Sequence, residues 1–289
     1  MREIKEKAYA KLNISLDVTG RRDDGYHDMV MVMQTVSLCD DVNVRLTEDG
    51  QIRSSSNLHF IPNDERNLAV RAAMRYLEAI GESGQGVQID MQKRIPVGAG
   101  MAGGSADAAA VLRAMNALYD NRLSRRELEK LSESVGSDVA FCVAGGTALA
   151  QGRGEVLSDI TPMPDCTFVI CKPEFSISTP ELFKKLDSVP LRRHPDTAGM
   201  LEAFEQGSLR GICMRMYNVF EDVNDRRLRV VSEIKSCLLD HGSMGSIMTG
   251  TGSAVFGVFS DETAAEKAKK ALLKEYRFCC TAKPKERVL

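Results

Sequence analysis

The stretch Pro96-Val97-Gly98-Ala99-Gly100-Met101-Ala102-Gly103-Gly104-Ser105-Ala106 runs on through Asp107 into alanines, and its composition is that of an anion cradle. Glycines let the backbone approach a phosphate and take turns closed to larger residues, and the unpaired N–H groups at the start of the following helix attract negative charge. Ser105 adds a hydroxyl for a phosphate or for Mg²⁺, and the small residues behind it let the helix pack closely on a sheet. The same composition would also serve a plain tight turn. No Gly-Lys-Ser/Thr follows, so the loop is not Walker A, and it does not close a first Rossmann strand as G-x-G-x-x-G does. Lys11 and Asn13 sit two apart on a strand and therefore project the same way; a solvated face explains that pair equally well. Tyr26 and His27 follow Gly25 in a polar loop, where an aromatic ring and an imidazole can stack on and hydrogen-bond a nucleobase. Thr249-Gly250-Thr251-Gly252-Ser253 is too small and polar for a core segment; it is either a cleft-lining turn or a plain hairpin.

The elements that must position these residues are legible around them. Ala8, Ala10, Leu12, Ile14, Leu16 and Val18 alternate with polar neighbours, which predicts a half-buried strand. Val30 to Leu38 and Val42 to Leu46 read as two strands about a Cys39-Asp40-Asp41 turn. Leu68 to Ile80 has helical spacing and ends at Gly81. Val87 to Met91 alternates as a strand and leads into the glycine loop and a helix through about Tyr119. Ser124 and Glu127 form a capping box, predicting a helix to Val135, and a short segment from Ser137 to Val143 follows. Beyond the proline-bearing stretch Asp159 to Asp165 come a strand at Phe168 to Cys171, a strand at Val255 to Phe259 after Ile247-Met248, and an amphipathic helix from about Thr263 to Tyr276. The linker places one domain at 1–160 and a second at 161–289. Strands and helices mix without a βαβ rhythm, so the fold class is α+β.

Bulk properties narrow the partner. In 289 residues, 38 Lys and Arg stand against 40 Asp and Glu, giving no electrostatic case for nucleic acid or an anionic membrane. A small soluble ligand is expected. The eight cysteines form no CxxC pair and the four histidines lie apart, so reduced thiols and no metal-ligand set are expected. The charged N-terminus and the lack of a long apolar run predict a cytoplasmic protein, monomeric or weakly homodimeric.

The glycine loop resembles the second motif of the GHMP kinases, a Pro, a short spacer, then Gly-Leu-Gly-Ser-Ser-Ala or Gly-Leu-Gly-Gly-Gly-Ser-Ser. Ala8 to Asn13 with Gly25-Tyr26-His27, Gly136 to Phe141, Gly145 to Glu155, Ser178 to Phe183, Asn218 to Val223 and Met248 to Phe256 resemble, in order, segments of the diphosphocytidyl-methylerythritol kinases among them. The resemblance implies a two-lobed GHMP kinase fold, with an N-terminal lobe like ribosomal protein S5 domain 2, a C-terminal ferredoxin-like lobe, and the active site between. It implies ATP, with Mg²⁺ carried on the nucleotide and held at 96–106, and phosphorylation of the 2-hydroxyl of 4-diphosphocytidyl-2-C-methyl-D-erythritol. It puts Lys11 and Asp138 at that hydroxyl, Asp138 as base assisted by Lys11. It also puts Asn13, Tyr26, His27, Phe183, Gly250, Thr251 and Gly252 on the substrate, with Tyr26-His27 and Phe183 around the cytosine. Another GHMP kinase, for homoserine, mevalonate or a sugar, would need the phosphate loop and Asp138 but not that aromatic set. A non-catalytic sensor would need neither Lys11 nor Asp138. Ala99, Ala102, Ala106, Ala140, Thr251 and Ser253 depart from the family pattern, each small for small.

Overall fold

The computed structural model describes residues 2–191, 193–223 and 225–288. The chain opens with two long antiparallel strands, β1 (Glu3–Arg21) and β2 (His27–Thr47), then β3 (Ile52–Ser56), α1 (Leu68–Ile80), β4 (Gly86–Gln92), α2 (Gly103–Leu118), α3 (Arg125–Glu133), α4 (Val139–Ala144), β5 (Thr147–Gly152) and β6 (Val156–Asp159). There follow β7 (Thr167–Lys172), α5 (Thr179–Leu186), α6 (Thr197–Glu205), α7 (Leu209–Met214), β8 (Tyr217–Asn218), α8 (Leu228–Asp240), β9 (Gly245–Met248), β10 (Val255–Phe259), α9 (Glu262–Leu272) and β11 (Phe278–Ala282). Among the described residues the strands make two sheets. The seven-stranded one runs β3-β4-β2-β1-β8, with β5 and β6 continuing from β2. The four-stranded one runs β11-β7-β10-β9, and with α8 after β7 and α9 after β10 it has the split βαβ order of a ferredoxin-like unit.

Local signals hold where they are strongest. Asn67 caps α1 through the Ala69 N–H, and Gly81 ends it in the left-handed conformation; Ser124 and Glu127 make the reciprocal capping box of α3. That helix ends at Glu133, one residue before the Ser134 cap and short of the predicted Val135. α9 likewise stops at Leu272 rather than Tyr276. Two readings need correction. The predicted turn at Cys39-Asp40-Asp41 does not exist: β2 continues through these residues, paired with β1 on one side and with β4 from Asp41 onward on the other, and the irregularity in its ladder with β1 falls just before them, between Thr35 and Cys39. Asp40 there points inward to a buried lysine, so a polar dipeptide that looks like a turn is a strand with an interior partner. The first strand is also not half-buried. Lys11, Asn13, Ser15 and Asp17, its polar face, are as covered as its apolar one, because the chain's second half returns onto it. β8 pairs with Ser15 and Leu16, His194 bonds Asp17, and Thr249 bonds Asn13.

The last residues also cross back. Lys285 N–H donates to Thr35, Val288 N–H donates to Ala144, and residues 287 and 288 close over Gly145 and Gly146. Four cysteines are buried and four half-buried, all as free thiols. Among the described residues no helix is long and apolar enough to cross a membrane.

Candidate active site

A cleft of about 1260 Å³ separates the two sheets. It is larger than the roughly 300–1,000 Å³ of a single small-molecule pocket, as two ligands side by side require. Residues 96–105 form one wall. Ala102, at the N-cap of α2, has no side chain that can cap, so the first N–H groups of the helix face the cleft without a protein acceptor. The methyl-bearing Ala102 itself sits at φ 56, ψ 32, a left-handed conformation that costs a residue with a Cβ about 1 kcal/mol or more. Ser105, next in the turn, is half-buried, lines the cleft and makes no hydrogen bond among the described residues. Ala106 is buried behind the loop and packs against the core rather than lining the cleft.

The loop is placed by backbone contacts on two sides. Lys11 N–H donates to Met101 O at 3.3 Å, and Ala254 N–H donates to Ala99 O at 3.1 Å. Gly100 lies against the Thr249–Gly252 turn so closely that a Cβ would meet the backbone there, and a Cβ on Gly250 would lie 2.8 Å from Gly100 O. The glycines on both sides therefore serve mutual approach. The 249–253 segment does join an antiparallel pair, β9 and β10, as a hairpin, and Gly250, Thr251 and Gly252 also line the cleft. Asn218 donates to Met248 O and Gly250 O at 2.7 and 2.8 Å, and Thr251 Oγ1 is 2.8 Å from Thr179 Oγ1.

Lys11 projects from β1 to the cleft floor with its side chain 5% exposed. Its ammonium lies 2.6 Å from Asn13 Oδ1 and 3.6 Å from Asp138 Oδ2. A buried ammonium needs such partners, because an unpaired charge in the interior is costly. Asn13 is fully buried and touches Lys11, Thr249 and Met31 instead of opening to the cleft. Asp138 precedes α4 but makes no capping bond. Its carboxylate, about a third exposed, is thus left to the cleft and to Lys11. Ala140 is buried in the first turn of α4.

At the other end of the cleft the aromatic set gathers. His27 stacks on Phe183, centroids 4.6 Å apart and planes 26° from parallel, and Phe183 meets Phe220 edge-on at 4.9 Å. That spacing leaves no slot for a base between His27 and Phe183 themselves, since each stacked layer takes about 3.5 Å. Tyr26 stands at the rim, 55% exposed, with the Arg153 guanidinium 5.0 Å from its ring centre. One face of that ring is held by the cation and the rest is open to a ligand.

Sequence reasoning passed over Lys93, Asp107 and Asp40, which meet beneath the phosphate loop. Lys93 Nζ bonds both Asp40 and Asp107, the latter at 2.5 Å, and all three are buried. Burial, opposed by Lys93 and reinforced by Asp40, pushes the Asp107 carboxyl up to about 7. Among the described residues Asp107 Oδ1 has no hydrogen-bond partner. The available signal was an aspartate inside a helical run that is otherwise small and apolar. Arg153 and Asp187 were missed as well; Arg153 sits between the glycines of Gly152-Arg153-Gly154, and Asp187 follows the Ser178 to Phe183 segment.

Among the described residues no cluster of three or more His, Cys, Asp or Glu could hold a metal ion. The free Ser105 hydroxyl fits a Mg²⁺ that arrives on phosphate oxygens and keeps much of its shell as water.

Known proteins share this chain's sequence pattern and fold. The family model for the GHMP kinases N terminal domain matches residues 67–146, and that for the GHMP kinases C terminal matches residues 200–277. A 4-diphosphocytidyl-2-C-methyl-D-erythritol kinase of Caldicellulosiruptor saccharolyticus is 42% identical over 92% of this chain and 91% of its own. One from Lachnospira eligens is 42% identical over 91% of each. A crystal structure of 4-(cytidine 5'-diphospho)-2C-methyl-D-erythritol kinase superposes with a TM-score of 0.81 at 32% identity, covering 97% of this chain and 99% of that one. A homoserine kinase from Cytophaga hutchinsonii, TM-score 0.78 at 20% identity over 99% of this chain and 96% of its own, shares the fold. Motifs, lobes and full-length similarity agree, and this chain belongs to the 4-diphosphocytidyl-2-C-methyl-D-erythritol kinase family of the GHMP kinases.

Proposed function

We propose that the protein transfers the γ-phosphoryl group of ATP to the 2-hydroxyl of 4-diphosphocytidyl-2-C-methyl-D-erythritol, releasing ADP and the 2-phosphate, as a step of non-mevalonate isoprenoid precursor synthesis. The observation that carries this reading is the Lys11–Asp138 pair, set in one cleft with the uncapped start of α2 on one side and the Tyr26, His27 and Phe183 cluster on the other. ATP lays its phosphates along 96–105, on the amides that open α2. Phe60 and Val97, large apolar side chains left 70% and 46% exposed in the cleft, are covered by its base. Mg²⁺ would travel with the nucleotide, held by the Ser105 hydroxyl, and would offset charge on the phosphates.

The substrate hydroxyl lies at Asp138. Asp138 accepts the hydroxyl proton as the oxygen attacks the γ-phosphorus, and the bond to the ADP oxygen breaks. A carboxylate suffices because the alcohol becomes acidic only during attack, so positioning matters more than base strength. Lys11, 3.6 Å from that carboxylate, holds it ionised and offsets charge on the phosphoryl group in flight. Asn13 acts from behind, fixing Lys11 and tying it to the Thr249–Gly252 turn. The cytidyl group occupies the aromatic end, where the free face of Tyr26 offers a stacking surface, and Gly250, Thr251 and Gly252 flank the erythritol. Residues 1–160 form the ATP-binding and catalytic lobe and 161–289 the second lobe. A net charge of −2 gives no electrostatic draw toward nucleic acid or an anionic membrane, and the reading is of a cytoplasmic enzyme, monomeric or a weak homodimer.

The test is an ADP-release assay with ATP and Mg²⁺, comparing the cytidyl compound with 2-C-methyl-D-erythritol 4-phosphate, homoserine and mevalonate. Turnover of the cytidyl compound alone is expected. Turnover of another alcohol in its place would sink the substrate assignment.

A further inference from the structure

Every residue of α2 from Ala106 to Asn116 is buried, and Arg113 is among them. Its guanidinium donates in three directions: Nε to Glu6 Oε2 at 3.2 Å, Nη1 to Cys142 O at 2.8 Å and Nη2 to Lys7 O at 2.8 Å. Glu6 supplies the counter-charge that a buried cation needs. A buried ion pair is often no more stable than apolar residues filling the same space, so stability alone does not call for arginine here. A planar fork can do what an apolar side chain cannot, which is to fix the spacing of two backbone carbonyls. Those carbonyls belong to the two elements that carry Asp138 and Lys11. Cys142 follows Asp138 by one turn, its N–H bonded to Asp138 O at 3.1 Å, and its carbonyl is one of those left open at the end of the short α4. Lys7 precedes Lys11 by four residues on β1. Lys11 N–H donates to Met101 O just ahead of α2. β1 is therefore tied to the loop and helix at two points, at Met101 and at Arg113 about 15 Å along α2, and Arg113 adds α4 as a third member.

We propose that Arg113 is a positioning residue for phosphoryl transfer: by bonding Cys142 O and Lys7 O from within α2, it sets α4 against β1 and so sets Asp138 at its distance from Lys11 and from the phosphates at the start of α2. Arg113 does not line the cleft and acts through Asp138. The 3.6 Å between Lys11 Nζ and Asp138 Oδ2 is a distance between β1 and α4, and Arg113 bonds the backbone of both. Released from the fork, a helix of six residues can shift, and a misplacement of about 1 Å at the reacting groups costs about 10²-fold in rate. The inference rests on the reading of Asp138 as the base.

The test is a double-mutant cycle on kcat, run on the acceptor alcohol that wild type phosphorylates, with Arg113→Met placed in wild type and in Asp138→Asn. In wild type Arg113→Met lowers kcat by about tenfold to 10²-fold, while the Kd of ATP by calorimetry stays within about threefold. In Asp138→Asn the same change costs no more than about twofold, because the group that Arg113 positions is already gone. Equal losses in the two backgrounds overturn the proposal and leave Arg113 a structural tie, since a loss of folded protein would add in both. A Kd for ATP that weakens as much as kcat falls also overturns it, assigning Arg113 to the nucleotide loop instead. Arg113→Lys keeps the charge for Glu6 but can reach only one of the two carbonyls; it should unfold close to wild type and still lose rate, and it carries the cycle where Arg113→Met does not fold. Wild-type kcat in Arg113→Lys refutes the fork. Asp138→Asn at the wild-type rate sinks the reading of the base itself, an outcome distinct from a slow Asp138→Asn with additive losses, which sinks the role of Arg113 alone.

Discussion

Gly100→Ala tests how the two glycine turns build the site. Gly100 has φ +77, and a Cβ there would lie closer than 3.0 Å to the Thr249 carbonyl oxygen and 3.1 Å from both the N and the O of Gly252. An ordinary carbon–oxygen contact is about 3.3 Å, so the turns must part by about 1 Å. Neither side yields freely. Thr249 N–H is bonded to Ala254 O and Asn218 holds the carbonyls of Met248 and Gly250, while Lys11 and Ala254 hold the opposite loop through Met101 O and Ala99 O. The left-handed conformation adds about 1–2 kcal/mol, which in a chain of this size lowers Tm by about 4 °C. A displacement near 1 Å between phosphate loop and substrate turn costs about 10²-fold in rate. The assay pairs thermal unfolding with kcat/KM. The reverse change two residues on, Ala102→Gly, relieves left-handed strain at φ 56 and, after the extra chain entropy of glycine, stabilises by about 0.5–1 kcal/mol. A Gly100→Ala enzyme within threefold of wild type in kcat/KM would refute the idea that the turns position each other by contact.

Asp138→Asn is expected to cut turnover by about 10²- to 10⁴-fold, the usual effect of losing a base, while ATP binding by calorimetry stays nearly intact; unchanged turnover removes Asp138 from the mechanism. Asp107 gives a pH test. Its folded carboxyl titrates at about 7 against 3.8 for the unfolded group, so the stability it contributes is fully present below about pH 4 and is lost as pH rises through 7. Asp107→Asn removes that dependence, and the Tm of the variant relative to wild type should rise from pH 5 to pH 8; an offset that is the same at both pH values would show that burial does not hold the proton on.

Much of this protein was legible in its sequence because the physics involved is local. The glycine loop and the helix behind it, the Gly81 end of α1 and the Ser124–Glu127 capping box all depend on residues within a few positions of one another. The family resemblance that the motifs carry implied that Lys11, Asp138 and the aromatic residues share one site, and they line one cleft. What local pattern could not supply was which polar residues turn inward. Asp40 looked like part of a turn and is a buried partner of Lys93; the polar face of β1 looked solvated and is covered by β8, His194 and Thr249. The Asp187 contact with His27 joins residues 160 positions apart. Hydrophobic period, caps and glycine freedom are written in neighbouring residues, whereas burial and pairing of charged groups arise only when distant segments meet. The sequence by itself therefore determined the strongly patterned elements and, through its motifs, the reaction class, and the tertiary structure alone decided how Lys11, Asp107 and His27 are held.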